Sequence, residues 1–323
     1  MKKVFRPITI FLVVLFLFFS ATAEVYSQET SPQTVRILVP PSNSALPFLL
    51  LAVEDPLPGI DIQANVFINH PQALAMLIRG EADLLFTGTS QGWENYLSGG
   101  PLVMLNTGTW GISYLIGSAN CPQIEDLTDL VGKQIALPFP GSPLDFQTRY
   151  LLKKRDIDPD RDVMISYSPL PQTAALLTSG KIDAAPVPEP LASNLVINRG
   201  LSRLLDYKKL WAEVSDGDPR SPQVSLFVTR SYTQEHKQLL NELIRVWRHT
   251  SQEVVDNPAR MAGMFAGILG FPEEVVRLSI DNTLFYVPSA EENRRRVEAY
   301  YLEVKEFLPG KREDLQADFF FSP

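Results

Sequence analysis

The sequence predicts an α/β protein built from two related lobes, and two observations support this interpretation. The pattern P-Q-x-x-A-x-L-x-x-G-x-x-D at residues 71–83 returns at residues 171–183, one hundred positions later. Each copy follows an apolar segment that runs into a loop rich in Pro and Ser, at residues 37–42 and 135–142. Solenoid repeats are about 20 to 50 residues long, so a repeat of this length is the size of a domain. A cleft between two such lobes is a common ligand site.

Each repeat predicts the same series of elements. An apolar strand comes first, and the shared pattern then predicts a helix, because its apolar positions recur at three and four residues. Gly80 and Gly180 suit the left-handed end of that helix. Asp83 and Asp183 lead into the next apolar strands, and we expect both carboxylates to hold backbone N–H groups at the strand entry.

Two extended segments are expected to carry the chain between the lobes. They are residues 112–116 and 224–228, and as crossover strands they would form a double hinge. The alternative is that both are ordinary strands of one large domain. The predicted organisation is a leader at 1–23, a polar spacer at 24–33, lobe one at 34–112 plus 226–323, and lobe two at 113–225.

The chain after Tyr232 is predicted to be helical. An amphipathic stretch covers residues 234–256, and a charged stretch covers residues 290–307. Prolines stand at or near the starts of the predicted helices, where a helix tolerates them. We expect these helices to cover lobe one, and the closing residues 319–321, all Phe, to dock on the body of the protein.

The N-terminus predicts export. Lys2, Lys3 and Arg6 precede an unbroken apolar run at residues 10–19, and an A-x-A triplet ends at Ala23. The run is shorter than an ordinary membrane span, so we expect a signal peptide that is cleaved near Ala23. The mature chain would then be periplasmic or secreted. An uncleaved anchor is the alternative.

Charge and cysteine content narrow the function classes. Removal of the leader leaves 26 Lys and Arg against 37 Asp and Glu, a net charge of −11, which argues against nucleic acid as a partner. The single cysteine, Cys121, cannot form an internal disulfide. The histidines are too scattered to suggest a metal site, and we expect a soluble monomer without a cofactor.

Three motifs resemble a known family. Residues 129–136 read D-L-V-G-K-Q-I-A, residues 174–185 read A-A-L-L-T-S-G-K-I-D-A-A, and an E-P pair follows at 189–190. They resemble the solute-binding proteins of ABC importers, in the group that serves nitrate, sulfonate or taurine, and thiamine-precursor transport. The resemblance implies a type II periplasmic-binding-protein fold, two α/β lobes joined by a double crossover hinge. It also implies a small-molecule solute, an ABC permease and its ATPase as partners.

Six loops form the candidate site, because ligands of doubly wound sheets bind outside the carboxyl ends of the strands. The loops are residues 41–45, 87–93, 106–111, 139–146, 169–172 and 188–190. None contains Lys, Arg or His, which argues against a strongly anionic solute held by ion pairs. The predicted ligand-binding residues are Ser42, Asn43, Thr87, Thr89, Ser90, Trp93, Thr109, Trp110, Phe139, Gly141, Ser142, Gln172 and Glu189.

Two hydroxyl groups in these loops stand before predicted helices. Ser90 and Ser142, with the free N–H groups of those helices, can receive an oxygen of the solute. The alternative is that each serine caps its helix, and a cap can do both.

The aromatic and acidic residues of the loops favour a planar, nitrogen-containing solute. Aromatic faces beside a carboxylate suit such a molecule. The alternatives are core positions for the aromatic residues and a helix cap for Glu189. The residues concerned are Trp93, Trp110, Phe139, Phe146, Asp145 and Glu189.

The predicted function is that of an exported, non-enzymatic protein that captures a small organic solute and delivers it to an ABC permease. Enzymes on the same fold, of the pyrimidine or menaquinone-precursor type, are the alternative, and a periplasmic sensor is another. The predicted leader argues against an enzyme, and the sequence contains no G-x-x-x-x-G-K-[ST] loop and no H-E-x-x-H motif. A sensor would close in the same way as a transport protein, so the sequence leaves that choice open.

Overall fold

A computed structural model of the chain describes residues 32–121, 123–308 and 313–323. These residues form eleven strands in two sheets, with twelve α-helices packed around them. The predicted α/β class is confirmed. The predicted signal peptide and residues 24–31 of the predicted spacer lie outside the described residues.

The first sheet has six strands. They are β1 Gln33–Val39, β2 Ile60–Val66, β3 Leu84–Gly88, β4 Leu102–Gly111, β10 Val224–Thr229 and β11 Leu284–Phe285. Their order is β11-β4-β10-β3-β1-β2. β1 pairs with β3 in parallel, whereas β10 lies between β3 and β4 and is antiparallel to both.

The second sheet has five strands. They are β5 Ser113–Gly117, β6 Gln134–Leu137, β7 Met164–Tyr167, β8 Ala184–Pro188 and β9 Arg203–Asp206. Their order is β7-β6-β8-β5-β9, with β6 parallel to β7 and β8, and β5 antiparallel to β8. The series β7-β6-β8-β5 repeats the series β2-β1-β3-β10 of the first sheet, which is the relation that the sequence repeat predicts.

The helices alternate with the strands in the first two thirds of the chain and then follow one another. They are α1 Leu46–Glu54, α2 His70–Ile78, α3 Thr89–Leu97, α4 Pro143–Lys153, α5 Leu170–Thr178, α6 Leu191–Arg199, α7 Tyr207–Val214, α8 Arg230–Glu235, α9 Lys237–Asp256, α10 Pro258–Leu269, α11 Glu273–Asp281 and α12 Ala290–Val304. The repeated helices are α2 and α5, and each is followed by a glycine at positive φ, Gly80 at 74° and Gly180 at 64°. In the part of the chain that the structure describes, no helix is long and apolar enough to cross a bilayer.

The two repeated aspartates make the same contact in both sheets. Asp83 Oδ2 accepts the backbone N–H of Arg36 at 2.8 Å, and Asp183 Oδ2 accepts that of Gln134 at 2.7 Å. In return, the backbone N–H of Asp83 donates to the carbonyl of Arg36, and that of Asp183 donates to the carbonyl of Gln134. The predicted structural role is therefore confirmed, and each carboxylate fixes the register between the first and third strand of its repeat.

The chain passes between the sheets twice. Gly111 ends β4 and Ser113 begins β5, so Ile112 alone separates the two sheets at the first crossing. The return runs from Asp206 through α7 to Val224. Residues 224–228, predicted as a crossover strand, lie in the first sheet alone, because β10 pairs along its whole length with β4. The lobe boundaries stay a prediction.

The C-terminal segment docks on the first sheet, as expected. Phe319, Phe320 and Phe321 are buried. Phe320 forms a parallel bridge with Met104 of β4, and the backbone N–H of Phe321 donates to the Met104 carbonyl at 2.8 Å. The aromatic tail is thus part of the core beside β4.

We expect Asp183→Ala to lower the free energy of unfolding by about 1 to 2 kcal/mol, because the Gln134 N–H loses its acceptor at the strand entry. Asp183→Asn keeps an acceptor oxygen and should cost less than half as much. Urea denaturation measures both, with Glu242→Ala as the control, since Glu242 forms only an exposed ion pair with Arg245. If both variants lost the same free energy of unfolding, the side-chain oxygen at position 183 would not be acting as the acceptor of the Gln134 N–H.

Candidate functional site

The loops at the carboxyl ends of the parallel strands of both sheets meet in a closed cleft. The hydroxyl of Ser90, after β3, donates to the carbonyl of Gly141, after β6, at 2.7 Å. The backbone N–H of Asn43, after β1, donates to the carbonyl of Glu189, after β8, at 3.5 Å. Gly88 lies so near Pro143 that a Cβ atom placed on it would be 3.0 Å from the proline ring. With the hydrogen bond between Thr109 and Ser44, the structure therefore brings together five of the six loops predicted from the sequence.

The cleft is lined by hydroxyl and amide side chains. All of them are uncharged, and all of them are buried. None of nine such side chains is more than 3% exposed. They are Ser44, Thr89, Ser90, Thr109, Ser113, Ser142, Gln147, Ser221 and Gln223. Burying polar groups costs free energy unless each finds a hydrogen bond, so the pattern of bonds between them is informative.

Five of these nine side chains form hydrogen bonds with one another. Thr109 Oγ1 donates to Ser44 Oγ at 3.1 Å in the first lobe. Gln147 Nε2, from α4, donates to Ser221 Oγ at 3.0 Å, and Gln223 Nε2 donates to Gln147 Oε1 at 3.0 Å. The segment that returns the chain to the first sheet is therefore hydrogen-bonded to a helix of the second.

Ser113 is the exception. Its hydroxyl oxygen is buried and has no hydrogen-bond partner. Ser113 begins β5 directly after the first crossing and pairs in register with Pro188, next to Glu189. A buried hydroxyl without a partner costs about 1 to 3 kcal/mol, which a polar ligand atom in the cleft would recover.

The two loop carboxylates that were expected to favour a planar, nitrogen-containing solute are occupied by protein groups. Glu189 is fully buried, accepts the N–H and hydroxyl of Ser193, and forms an ion pair with Arg203 at 2.8 Å. Glu189 thus has the capping role that was the alternative. Asp145 accepts from the backbone of Gly141 and pairs with Arg149 at 2.7 Å.

Three of the four predicted aromatic residues lie in the apolar core and not on the polar surface of the cleft. Trp93 is fully buried and its ring packs 6.0 Å from that of Phe146 and 5.4 Å from that of Tyr301. Trp110 is also fully buried, and its Nε1 donates to the carbonyl of Tyr286 at 2.8 Å. The expectation of an aromatic lining is wrong at these positions, because residues of the C-terminal segment cover the rings.

The other predicted residues are divided between the cleft and its rim. Ser142 caps α4 by accepting the N–H of Asp145 at 3.1 Å, while Ser90 donates across the cleft and caps nothing. Thr87 and Phe139 lie at the rim, Ser42 is half-buried before α1, and Gln172 is exposed in the first turn of α5. Asn43 turns its amide away from the cleft, to Ser279 and Thr283.

Sequence reasoning missed Ser44, Ser113, Gln147, Ser221 and Gln223. One signal was available for Ser221 and Gln223, which directly precede β10. An antiparallel strand begins at the edge where its parallel neighbours end, so the residues before β10 had to lie near the predicted loops. Gln147 is placed by helix packing, for which the local sequence carries no such signal.

The carboxyl group of Glu94, in the first lobe, lies against Gly141 of the second lobe without a hydrogen-bond partner. Glu94 of α3 has a buried Oε1 without a hydrogen bond, close enough to Gly141 that a Cβ there would be 2.5 Å away. Burial, and then the charge of Asp145 on α4, raise the pKa of Glu94 to about 7. A neutral Glu94 therefore fits the closed cleft better than an ionised one. The described residues contain no cluster of His, Cys, Asp and Glu that could hold a metal.

Comparison with known proteins agrees with this architecture. Residues 120–267 match the family model of the NMT1-like family, whereas the comparison with curated proteins gives no match. The predicted resemblance to the nitrate, sulfonate or taurine, and thiamine-precursor group is confirmed.

Three solved structures illustrate the similarity. The alkanesulfonate-binding protein SsuA from Xanthomonas axonopodis pv. citri, bound to MOPS, is 20% identical with a TM-score of 0.71, over 90% of this chain and 99% of that one. The periplasmic aliphatic sulphonate binding protein SsuA from Escherichia coli is 19% identical with a TM-score of 0.68, over 84% and 93%. The periplasmic nitrate-binding protein NrtA from Synechocystis PCC 6803 is 16% identical with a TM-score of 0.62, over 85% and 80%. The predicted type II periplasmic-binding-protein fold is confirmed.

Glu94 should make the stability of the closed form depend on pH. Its pKa is raised from an ordinary 4.5 to about 7, so the stabilisation is present below 4.5 and is lost as pH rises toward 7. Glu94→Gln cannot ionise, and its Tm relative to wild type should rise across this window. Thermal melts from pH 4.5 to 8 measure the difference, with Glu242→Gln, at an exposed carboxylate, as the control. A difference that does not change with pH would contradict the effect.

Proposed function

We propose that this chain is an exported solute-binding protein that captures a small solute between its lobes and presents it to an ABC permease and its ATPase. The observation that carries the proposal is the enclosed polar surface between the lobes, together with the buried, partnerless hydroxyl of Ser113 next to the first crossing. The similarity in fold to periplasmic sulfonate-binding and nitrate-binding proteins supports it. The mature chain would act in the periplasm or outside the cell, as a monomer.

The solute that we propose is a small, polar, nitrogen-containing organic molecule. Hydroxyl and amide groups of the cleft can donate to and accept from such a molecule. Arg149 and Arg203, which bind the loop carboxylates Asp145 and Glu189, are already paired. A solute carrying a full negative charge would therefore depend on backbone N–H groups and hydroxyls alone. Recognition would rest on hydrogen bonds and not on aromatic stacking.

Closure of the lobes is the proposed mechanism. Ser44 and Ser90 lie on loops of the first sheet, whereas Ser113 and Ser142 lie on the second. A solute that binds both sets favours the closed form over the open one by its additional contacts. The two crossings, at Ile112 and through α7, would act as the hinge between the lobes.

Enzymatic activity is not part of the proposal. Residues 88–92 read G-T-S-Q-G at a strand-to-helix turn, which is the pattern of a hydrolase nucleophile elbow. Here the Ser90 hydroxyl is fully buried and donates to the Gly141 carbonyl, with no histidine bonded to it. Ser142 caps α4, and Asp145 is paired with Arg149. A serine without a base is a poor nucleophile.

Thermal-shift titration tests the proposed solute. We expect cytosine or a related nitrogen-containing compound at millimolar concentration to raise the Tm, because a ligand that binds only the folded state stabilises it. Native mass spectrometry of gently purified protein should show a co-purifying small molecule. Shifts with nitrate and alkanesulfonates alone would contradict the nitrogen-containing solute, and no shift with any compound would contradict the binding role.

Ser113 offers a sharper test of the cleft. Ser113→Ala removes a hydroxyl that has no protein partner, so the Tm of the free protein should stay within about 2 °C of wild type. The affinity for the bound solute should fall by about 2- to 10-fold.

Ser251 provides the matched control, since its hydroxyl is also buried without a partner but lies on α9 in the C-terminal segment. Ser251→Ala should leave solute affinity unchanged in isothermal titration. Equal affinities for all three proteins would show that the solute does not reach Ser113.

A further inference from the structure

His70 lies where the rims of the two lobes meet. It is the first residue of α2, and Asn69 caps that helix, so the imidazole is not needed as a cap. The ring packs edge-on against Phe67 of its own lobe, at 4.8 Å between centroids, and 5.7 Å from Phe139 of the second lobe. An imidazole between the lobes is therefore placed beside the entrance to the cleft.

A chain of hydrogen bonds fixes which nitrogen of His70 carries the proton. The backbone N–H of Gly88 can only donate, and it points at Gln91 at 3.2 Å, so the accepting atom there is the carbonyl Oε1. The Thr87 hydroxyl lies 2.7 Å from the same oxygen and must donate its proton to it. Thr87 Oγ1 is then an acceptor toward His70 Nδ1 at 2.9 Å, which places the ring proton on Nδ1.

The other ring nitrogen, Nε2, is left as a bare acceptor. No hydrogen bond joins it to a described residue, and it is not one of the buried side-chain atoms that lack a bond, so it keeps some exposure where the two lobes meet. Burial lowers the pKa of His70 to about 4, which keeps the ring neutral at ordinary pH. No cation is available at this position for an anionic solute.

We propose that His70 is a specificity-determining residue, whose Nε2 accepts a hydrogen bond from an N–H or O–H group of the solute. This inference rests on the proposed function and narrows it. A solute with a donor gains a bond to Nε2, whereas an acceptor oxygen in the same place faces a lone pair and leaves Nε2 desolvated and unpaired. Nitrate and unsubstituted alkanesulfonates have no such donor, so the cleft should discriminate against them.

The tautomer can be measured without any ligand. Long-range proton–nitrogen NMR spectra of the ¹⁵N-histidine-labelled protein distinguish a protonated from a bare ring nitrogen, and the chain has only three histidines to assign, His70, His236 and His249. We expect His70 to show a single tautomer with the proton on Nδ1. Thr87→Val removes the hydroxyl that fixes it, so the signal should become that of a mixture. A proton on Nε2 in the wild type would overturn the inference.

Matched pairs of solutes test the selectivity. In 1-methylcytosine the exocyclic amino group is the only N–H donor, and its N4,N4-dimethyl derivative has none. Isethionate carries a hydroxyl that ethanesulfonate lacks. Within whichever pair binds, we expect the donor-bearing compound to bind the wild type at least about tenfold more tightly, equivalent to about 1.4 kcal/mol. His70→Leu should abolish the difference. Thr87→Val, which keeps the imidazole, should reduce the difference, and it serves as the test if His70→Leu does not fold.

The outcomes separate the inference from the function on which it rests. His249→Leu is the matched control, because His249 is exposed on α9, and it should keep the full selectivity. Equal binding of both members of a pair, unchanged by His70→Leu, overturns the inference and leaves the solute-binding role standing. Failure of every compound, together with no co-purifying molecule, overturns both.

Discussion

The antiparallel strand that completes each sheet constrains the rest of the molecule. β10 is hydrogen-bonded to β3 and β4, and β5 to β8 and β9, so each of these strands holds its sheet together from the inside. Because an antiparallel strand begins where its parallel neighbours end, the chain must cross between the sheets at the edge where the loops gather. Thr109, Ser113 and Gln223 flank the two crossings for this reason. The position of the polar surface is set by the topology before any side chain is chosen.

The repeat in the sequence predicted the series of elements within each lobe, because it encodes contacts that are made within that lobe. Asp83 and Asp183 bind residues of the neighbouring strand in their own repeat. The aromatic residues could not be placed in the same way. Trp93 and Trp110 are covered by Tyr301 and Tyr286, which lie far along the chain. Their environment depends on how the C-terminal helices return, which no local pattern specifies. The polar residues that follow parallel strands were predicted, apart from Ser44, whereas Ser221 and Gln223, which precede β10, were missed.

The carboxylates beside the cleft are neutralised within the second lobe, and this has an energetic consequence for closure. Glu189 with Arg203, and Asp145 with Arg149, are ion pairs inside the second lobe, so both carboxylates are neutralised whether or not the lobes meet. Closing a cleft lined by free charges would require their desolvation, which costs several kcal/mol per ion. A cleft of hydroxyls and amides closes at lower cost. Glu94 departs from this arrangement, since it meets the second lobe as an unpaired acid.

Two amides tie the loops of the cleft to residues near the end of the chain. Asn43 Nδ2 donates to Ser279 and Thr283, at 2.9 and 3.1 Å, and Asn106 Nδ2 donates to the carbonyl of Pro288 at 2.9 Å. Contacts between residues so distant in sequence form late, because the loop they close is long. During synthesis, the first loop of the cleft therefore emerges from the ribosome long before the groups that hold it. A growing chain has no finished pocket, and a small molecule in its surroundings cannot template the early steps of folding.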